Sequence, residues 1–322
     1  PILCASEKMG IRIVDVRHEV NAVFAADAVA RLSGKIGVAA VTAGPGLTNT
    51  VTAIKNAQMA ESPILLIGGA AATLLKGRGA LQDIDQLSLF KSICKHCVTI
   101  RYVREIPDKL RKAIQIAQSG TPGPVFVEFP IDSLYPYHLV QRELGAKNEA
   151  AKSLGQKVVN FYLSNYLATL FAGAFDKHDY EPLKPNIPYP DRDQVTKAAE
   201  LLSQAKKPVF IIGSQATLPP VASKELQEAL EKLNVPCFLG GMARGLLGKS
   251  SSIQFRHCRK EALKEADVVV LLGTVCDFRL GYGRVLSRKS KIISVNRSKD
   301  QMLKNSDIYW KPSLTANCDP AS

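Results

Sequence analysis

Two apolar runs, Ile11 to Val16 and Ile36 to Val41, each lead through a polar turn into a stretch with helical character. Such strand–turn–helix units in succession commit a chain to an α/β fold, because parallel strands need a crossover and a helix usually supplies it. The two turns are chemically unusual. The first carries Arg17-His18-Glu19, and the second carries Thr42-Ala43-Gly44-Pro45-Gly46-Leu47-Thr48-Asn49. A glutamate that ends one strand and a Gly-Pro-Gly turn that ends the next stand on one sheet edge. That carboxyl edge is where open α/β sheets bind ligands.

Each feature has a physical logic. A carboxyl beside an apolar pocket can shuttle a proton, since desolvation keeps its pKa in a working range. The plainer reading of Glu19 is a helix-start glutamate favoured by the macrodipole. Gly44 and Gly46 allow unusual backbone angles and let a ligand approach the main chain, and Pro45 fixes the turn between them. Thr48 and Asn49 can cap or line the helix that follows. The plainer reading of this turn is a tight strand-to-helix connection with no ligand.

Further segments follow in order. Glu61-Ser62-Pro63 leads into Ile64–Gly69, an apolar strand ending in glycines, and Thr121–Asp132 contains the Gly123-Pro124-Val125 strand start. Between them lies Gly79-Ala80-Leu81-Gln82-Asp83-Ile84-Asp85-Gln86. Together these pieces resemble, over residues 1 to 137, the pyrimidine-binding domain of thiamine diphosphate enzymes of the acetolactate synthase type. Within that family the likeness is to the acetolactate synthase-like lyases. The resemblance gives Glu19 the catalytic role: its carboxyl bonds N1′ of the aminopyrimidine and promotes the imino tautomer that removes the thiazolium C2 proton. It makes Glu19, Gly44, Pro45, Gly46, Asn49 and Gln82 the cofactor-binding set. Relatives that make acetolactate often carry Phe before the glutamine, where Leu81 stands here.

The resemblance therefore implies part of a carbon–carbon lyase that cleaves 2-hydroxyacyl-CoA to formyl-CoA and an aldehyde, with thiamine diphosphate and Mg²⁺ as cofactors. The alternatives are an acetolactate synthase-type carboligase and a non-catalytic nucleotide-binding or dimerisation fragment. In the family the metal is held on a Gly-Asp-Gly motif of a C-terminal domain. No Gly-Asp-Gly occurs in this sequence, so no metal ligand is assigned. The domain's first strand is expected to precede Pro1. The family also implies a homo-oligomer, and the helices after Glu19 and Leu47 are the expected pairing surface through Val23, Phe24, Val51 and Ile54. It implies the endoplasmic reticulum membrane as location, with a cytoplasmic alternative.

At 322 residues and 46% hydrophobic content, the chain is long enough for two globular domains. Residues 138–192 lose the α/β rhythm and end in Pro182, Pro185, Pro188 and Pro190, which reads as a linker. Within it, residues 158–175 form an uncharged run interrupted by Asn160, Ser164, Asn165 and Thr169. A helix packed on the protein, or one lying on a membrane surface, fits that pattern better than a span.

From 193 to 312 the alternation resumes. Strands are expected at 208–213, 236–241, 266–274 and 291–296, with helices at 195–204 and 222–233, in a parallel sheet of six-stranded type that resembles the family's central domain. The expected fold is thus two parallel-sheet three-layer α/β domains, followed by a divergent tail at 313–322. Some relatives hold FAD, or an ADP-like or CoA ligand, in this central domain. Here the family's Gly-x-Arg reads Gly273-Thr274-Val275, and Asn296 replaces an acidic residue, so both positions argue against such a site.

The net charge of +13 is uneven: residues 193–322 carry 20 basic against 12 acidic side chains. Without aromatic interleaving or a binding motif, this excess does not point to nucleic acid. A solvated basic face and an anionic ligand such as coenzyme A both remain open for Arg279, Arg284, Arg288, Lys289 and Lys291. Seven cysteines are scattered, and Cys94-Lys95-His96-Cys97 has no second pair at zinc spacing.

Overall fold

The computed structural model describes residues 1–145 and 153–322. The chain divides into two compact units, Pro1–Pro185 and Asn186–Ser322. The boundary falls inside the proline-rich stretch, and the described residues between 138 and 185 group with the first unit. Residues 146–152, within that stretch, lie outside the described residues.

The first unit runs α1 (Ile2–Lys8), α2 (Glu19–Ser33), β1 (Gly37–Val41), α3 (Pro45–Thr48), α4 (Val51–Ala60), β2 (Ile64–Ala70), α5 (Gln86–Lys91), β3 (His96–Thr99), α6 (Ile106–Gln118), β4 (Val125–Pro130), α7 (Ile131–Leu134), α8 (Tyr137–Glu143) and α9 (Leu154–Phe171). Its sheet has the order β1-β2-β4-β3, parallel throughout. Every residue of β4 is buried, as expected for a strand covered on both faces. One core lies between the sheet and α2, α4 and α5, with Val23, Leu47, Ile54, Leu66, Phe90 and Phe126 at its centre. A second, on the opposite face, packs α6 through Ala113 and Ala117 against Val125, Val127 and Ile100.

Two expectations are corrected here. Residues 11–16 pair with no strand and run as exposed irregular chain, with Ile11, Ile13 and Val14 open to solvent. Strand-like composition needs a partner ladder to become a strand, and this segment has none. The pairing surface expected on the first helices is also largely internal: Val23 and Ile54 are fully buried in this unit's own core, and only Phe24 is exposed.

α9 begins four residues earlier than the uncharged run, at an N-cap where Ser153 Oγ accepts from the Gln156 N–H. Its C-terminal half packs on α8 through Leu167, Leu170 and Val140. Its N-terminal half exposes Leu154, Val158, Val159, Phe161 and Tyr162. Among the described residues no helix is long and apolar enough to cross a membrane.

The second unit runs α10 (Arg192–Ser203), β5 (Pro208–Ile212), α11 (Ser223–Leu233), β6 (Cys237–Leu239), α12 (Arg259–Glu265), β7 (Val268–Leu272), β8 (Lys291–Val295), α13 (Lys299–Met302) and β9 (Leu314–Ala316). The sheet is parallel in the order β6-β5-β7-β8-β9. It has five strands among the described residues, one fewer than expected. Residues 313–322 are not set apart: β9 extends the sheet beside β8, and the following turn is locked by a buried ion pair.

Candidate active site

His18 adopts an extended backbone and caps α2, its Nδ1 accepting from the Val20 N–H at 3.2 Å. Glu19 is therefore the first helical residue, held at the carboxyl edge of the sheet by the cap. Its Oε2 accepts from Asn49 Nδ2 at 3.0 Å, and His18 Nδ1 stands 4.0 Å away. The Asn49 bond, then the residue's own backbone N–H, hold the carboxyl below the ordinary glutamate range; weak desolvation opposes them and His18 adds a small attraction. The side chain is one-third exposed. Hydrogen bonds to the charged form thus outweigh burial here.

Gly44, Pro45 and Gly46 form the start of α3, with Pro45 at its first position, where no N–H is required. Gly44 sits at φ 61° and ψ −120°, a region closed to residues with a Cβ. A Cβ on Gly46 would lie 2.5 Å from Thr42 Cγ2 and 3.3 Å from Glu19 Oε1. The missing side chain is what lets the turn pass directly beneath the carboxylate. Across the turn, a Cβ on Gly44 would lie 2.8 Å from Gln82 Cβ. Gln82 is exposed, at φ 60°. The structure thus gathers Glu19, Gly44, Pro45, Gly46, Asn49 and Gln82 at one place.

Sequence reasoning missed the layer below. Gln86 is buried: its Oε1 accepts from the Gly44 N–H at 2.8 Å, while its Nε2 donates to Gly69 O and Glu128 Oε1, both at 2.9 Å. Glu128 is 1% exposed, and its Oε2 accepts from Lys76 Nζ and Thr99 Oγ1, both at 2.8 Å. The available signal was a charged residue inside Val125–Pro130. A fully buried strand tolerates a carboxylate only with partners.

Elsewhere several of the chemistry-bearing residues are engaged within the fold. All seven cysteines are free thiols; Cys94 is buried and hydrogen-bonded to half-buried Cys97, which pushes Cys94 up and Cys97 down. Among the described residues no group of three or more His, Cys, Asp or Glu is placed to hold a metal ion. In the second unit Asn296 is fully buried, its Oδ1 accepting from the Ser298 N–H at 2.9 Å. Arg279 pairs with Asp277 at 2.7 Å, and Arg284 lies over the Tyr309 ring. The unforeseen pair is Arg297 with Asp319, at 2.6 Å and out of solvent.

Residues 1–89 match the family described as thiamine pyrophosphate enzyme, N-terminal TPP binding domain, and residues 195–314 match thiamine pyrophosphate enzyme, central domain. The chain belongs to the thiamine pyrophosphate enzyme family. It is similar to 2-hydroxyacyl-CoA lyase 2 of Danio rerio, 66% identical over 322 residues, which is all of this chain and 52% of the relative. It is 61% identical to the Homo sapiens protein of that name over all of this chain and 51% of that one. A probable acetolactate synthase of Mycobacterium bovis is more distant, at 32% identity over 89% of this chain and 46% of the relative. The chain spans about half the length of the curated relatives it matches.

Proposed function

We propose that this chain forms part of a thiamine diphosphate-dependent carbon–carbon lyase acting on 2-hydroxyacyl-CoA, with Glu19 as the carboxylate that meets N1′ of the cofactor. The single observation carrying the reading is Glu19 Oε1 over Cβ-free Gly46, with Oε2 fixed by Asn49. This half-open carboxylate, floored by glycine backbone, fits a flat heteroaromatic ring with a basic nitrogen. Mg²⁺ and the diphosphate are assigned to no residue of this chain.

When bound, thiamine diphosphate would supply both a nucleophilic carbon for the substrate carbonyl and, in its thiazolium ring, the sink for the electron pair of the broken carbon–carbon bond. The chain's own contribution is proton control and positioning. Glu19, ionised at neutral pH, accepts a hydrogen bond from a protonated ring nitrogen or takes that proton and returns it. Asn49 keeps the second carboxyl oxygen oriented. Gly44 and Gly46 leave the ring face uncovered, and Gln82 borders the turn from the exposed side. The substrate R–CH(OH)–CO–S–CoA would leave as R–CHO and H–CO–S–CoA, which balances without an oxidant. Leu81, exposed beside Gln82 where acetolactate-forming relatives often carry Phe, favours the lyase over carboligation. The same resemblance leads us to propose a homo-oligomer at the endoplasmic reticulum membrane. The exposed apolar half of α9 supports contact with a bilayer surface.

The test is Glu19→Gln in the enzyme assembled with its cofactor, following hydrogen–deuterium exchange at C2 of bound thiamine diphosphate. Exchange should slow by about 10² or more, the usual worth of a positioned acid–base group, while cofactor affinity changes far less. Normal exchange in the variant would reduce Glu19 to a helix-start glutamate.

A further inference from the structure

Residues 71–85 carry Gln82 across the turn, and two buried carboxylates next to the end of β4 hold this loop. Asp132 takes Thr73, through its N–H at 3.0 Å and its hydroxyl at 3.3 Å, together with the Tyr166 hydroxyl. Glu128 takes Lys76 at 2.8 Å, and this lysine side chain is 37% exposed. Most of the loop beyond these anchors is solvent-exposed, with Leu81 89% accessible. Lys76 is thus a surface cation reaching inward to a buried anion, and it is the loop's own residue.

Glu128 has a second dependant. Its other oxygen accepts from Gln86, whose carbonyl oxygen in turn receives the Gly44 N–H. Gln86 uses its amide fully in this direction: two donors face Gly69 O and Glu128, and one acceptor faces Gly44. A carboxylate in its place would oppose two acceptors, and a lysine would oppose a donor. The chain of contacts is continuous from the loop to the turn, and each bond in it is 2.8 to 2.9 Å.

We infer that Lys76, Glu128 and Gln86 are positioning residues that couple the 71–85 loop to the Gly44 N–H, and through it to the turn beneath Glu19. When the loop lifts, Lys76 leaves and the buried Glu128 loses its cation. The carboxylate then draws more heavily on its remaining donors, Gln86 and Thr99, or turns towards water. Either response moves the amide that holds Gly44. An ordered loop therefore sets the glycine turn, and a displaced loop releases it, without any contact between Lys76 and the turn itself. The catalytic meaning of this coupling rests on the reading of Glu19 proposed above; the coupling itself is measurable without cofactor.

The experiment combines limited trypsin cleavage after Arg78 with amide hydrogen exchange of the peptide containing Gly44, in the wild-type chain, Lys76→Met and Lys76→Arg. Lys76 is partly exposed, so the variants retain the core. Lys76→Met should raise both cleavage and Gly44-peptide exchange by about tenfold, the scale of a local opening made easier, and Lys76→Arg should restore both. Peptides from α6 serve as the control and should not change. Faster cleavage with unchanged Gly44 exchange would overturn the coupling, as would no change in either. A uniform rise across the unit, α6 included, would also overturn it, because Lys76 would then be a general stabiliser. If the coupling holds while Glu19→Gln leaves C2 exchange normal, only the active-site reading falls.

Discussion

Gly44 offers the sharpest quantitative test of how tightly the turn is built. Replacing it with alanine imposes two separate costs. Its φ of 61° and ψ of −120° belong to backbone space that residues with a Cβ avoid, worth about 1–3 kcal/mol. The added methyl would also lie 2.8 Å from Gln82 Cβ and 3.2 Å from the Gln82 Cα and carbonyl oxygen. Relieving that overlap means shifting one backbone against another, roughly a further 1–3 kcal/mol. The total for Gly44→Ala is then about 2–6 kcal/mol. Gly77→Ala is the comparison, since Gly77 also has a positive φ, 72°, but nothing within 4 Å of the new carbon. It should cost only the conformational part, about 1–2 kcal/mol. Urea unfolding followed by far-ultraviolet circular dichroism reads both variants. The lone tryptophan, Trp310, is buried in the second unit, so its fluorescence should stay at the wild-type midpoint. If the two alanine variants agree within about 0.5 kcal/mol, the contact with Gln82 carries no energy and the turn is less crowded than the geometry states.

Asp319→Ala leaves the Arg297 guanidinium buried without its carboxylate, and should cost about 3–5 kcal/mol in the Trp310 fluorescence transition while the first unit is unaffected. A loss below about 1 kcal/mol would mean that water reaches the pair. For Glu19, the lowered pKa means that folding favours the ionised form. The associated stability is complete above the unfolded-state pKa and is lost as pH falls through the lower folded-state value. A ¹³C titration of the Glu19 carboxyl should therefore show a midpoint below the ordinary glutamate value, moving up in Asn49→Leu. A native midpoint at or above the ordinary value would show that desolvation prevails over the Asn49 bond.

The strands with neighbours on both sides were the easiest to find. Ile64–Ala70, Pro208–Ile212 and Val268–Leu272 are continuous apolar runs, and Val125–Pro130 is one but for Glu128, because burial on both faces demands that composition. Residues 11–16 are also rich in Ile and Val, though broken by Arg12 and Asp15, and form no ladder among the described residues, because strand formation depends on a neighbour that a local pattern cannot show. Glu19 and the glycine turn were visible because their residue types are unusual for their places. Gln86 was hidden for the opposite reason: a glutamine at the start of a short helix is unremarkable until its three partners, 17 and 42 residues away in sequence, are known. β9 was misplaced in a tail because three residues, Leu314–Ala316, are too short to carry an alternation signal.

The β1 end of the first sheet has a further consequence for where another strand can pair. Among the described residues β1 ends the sheet, and its sequence Gly-Val-Ala-Ala-Val contains no charge and no proline, while Val38 is 55% exposed. These are the devices by which sheets discourage backbone-to-backbone growth, and this edge lacks them. Its outward N–H and C=O groups therefore suit a further strand, such as the one expected to precede Pro1.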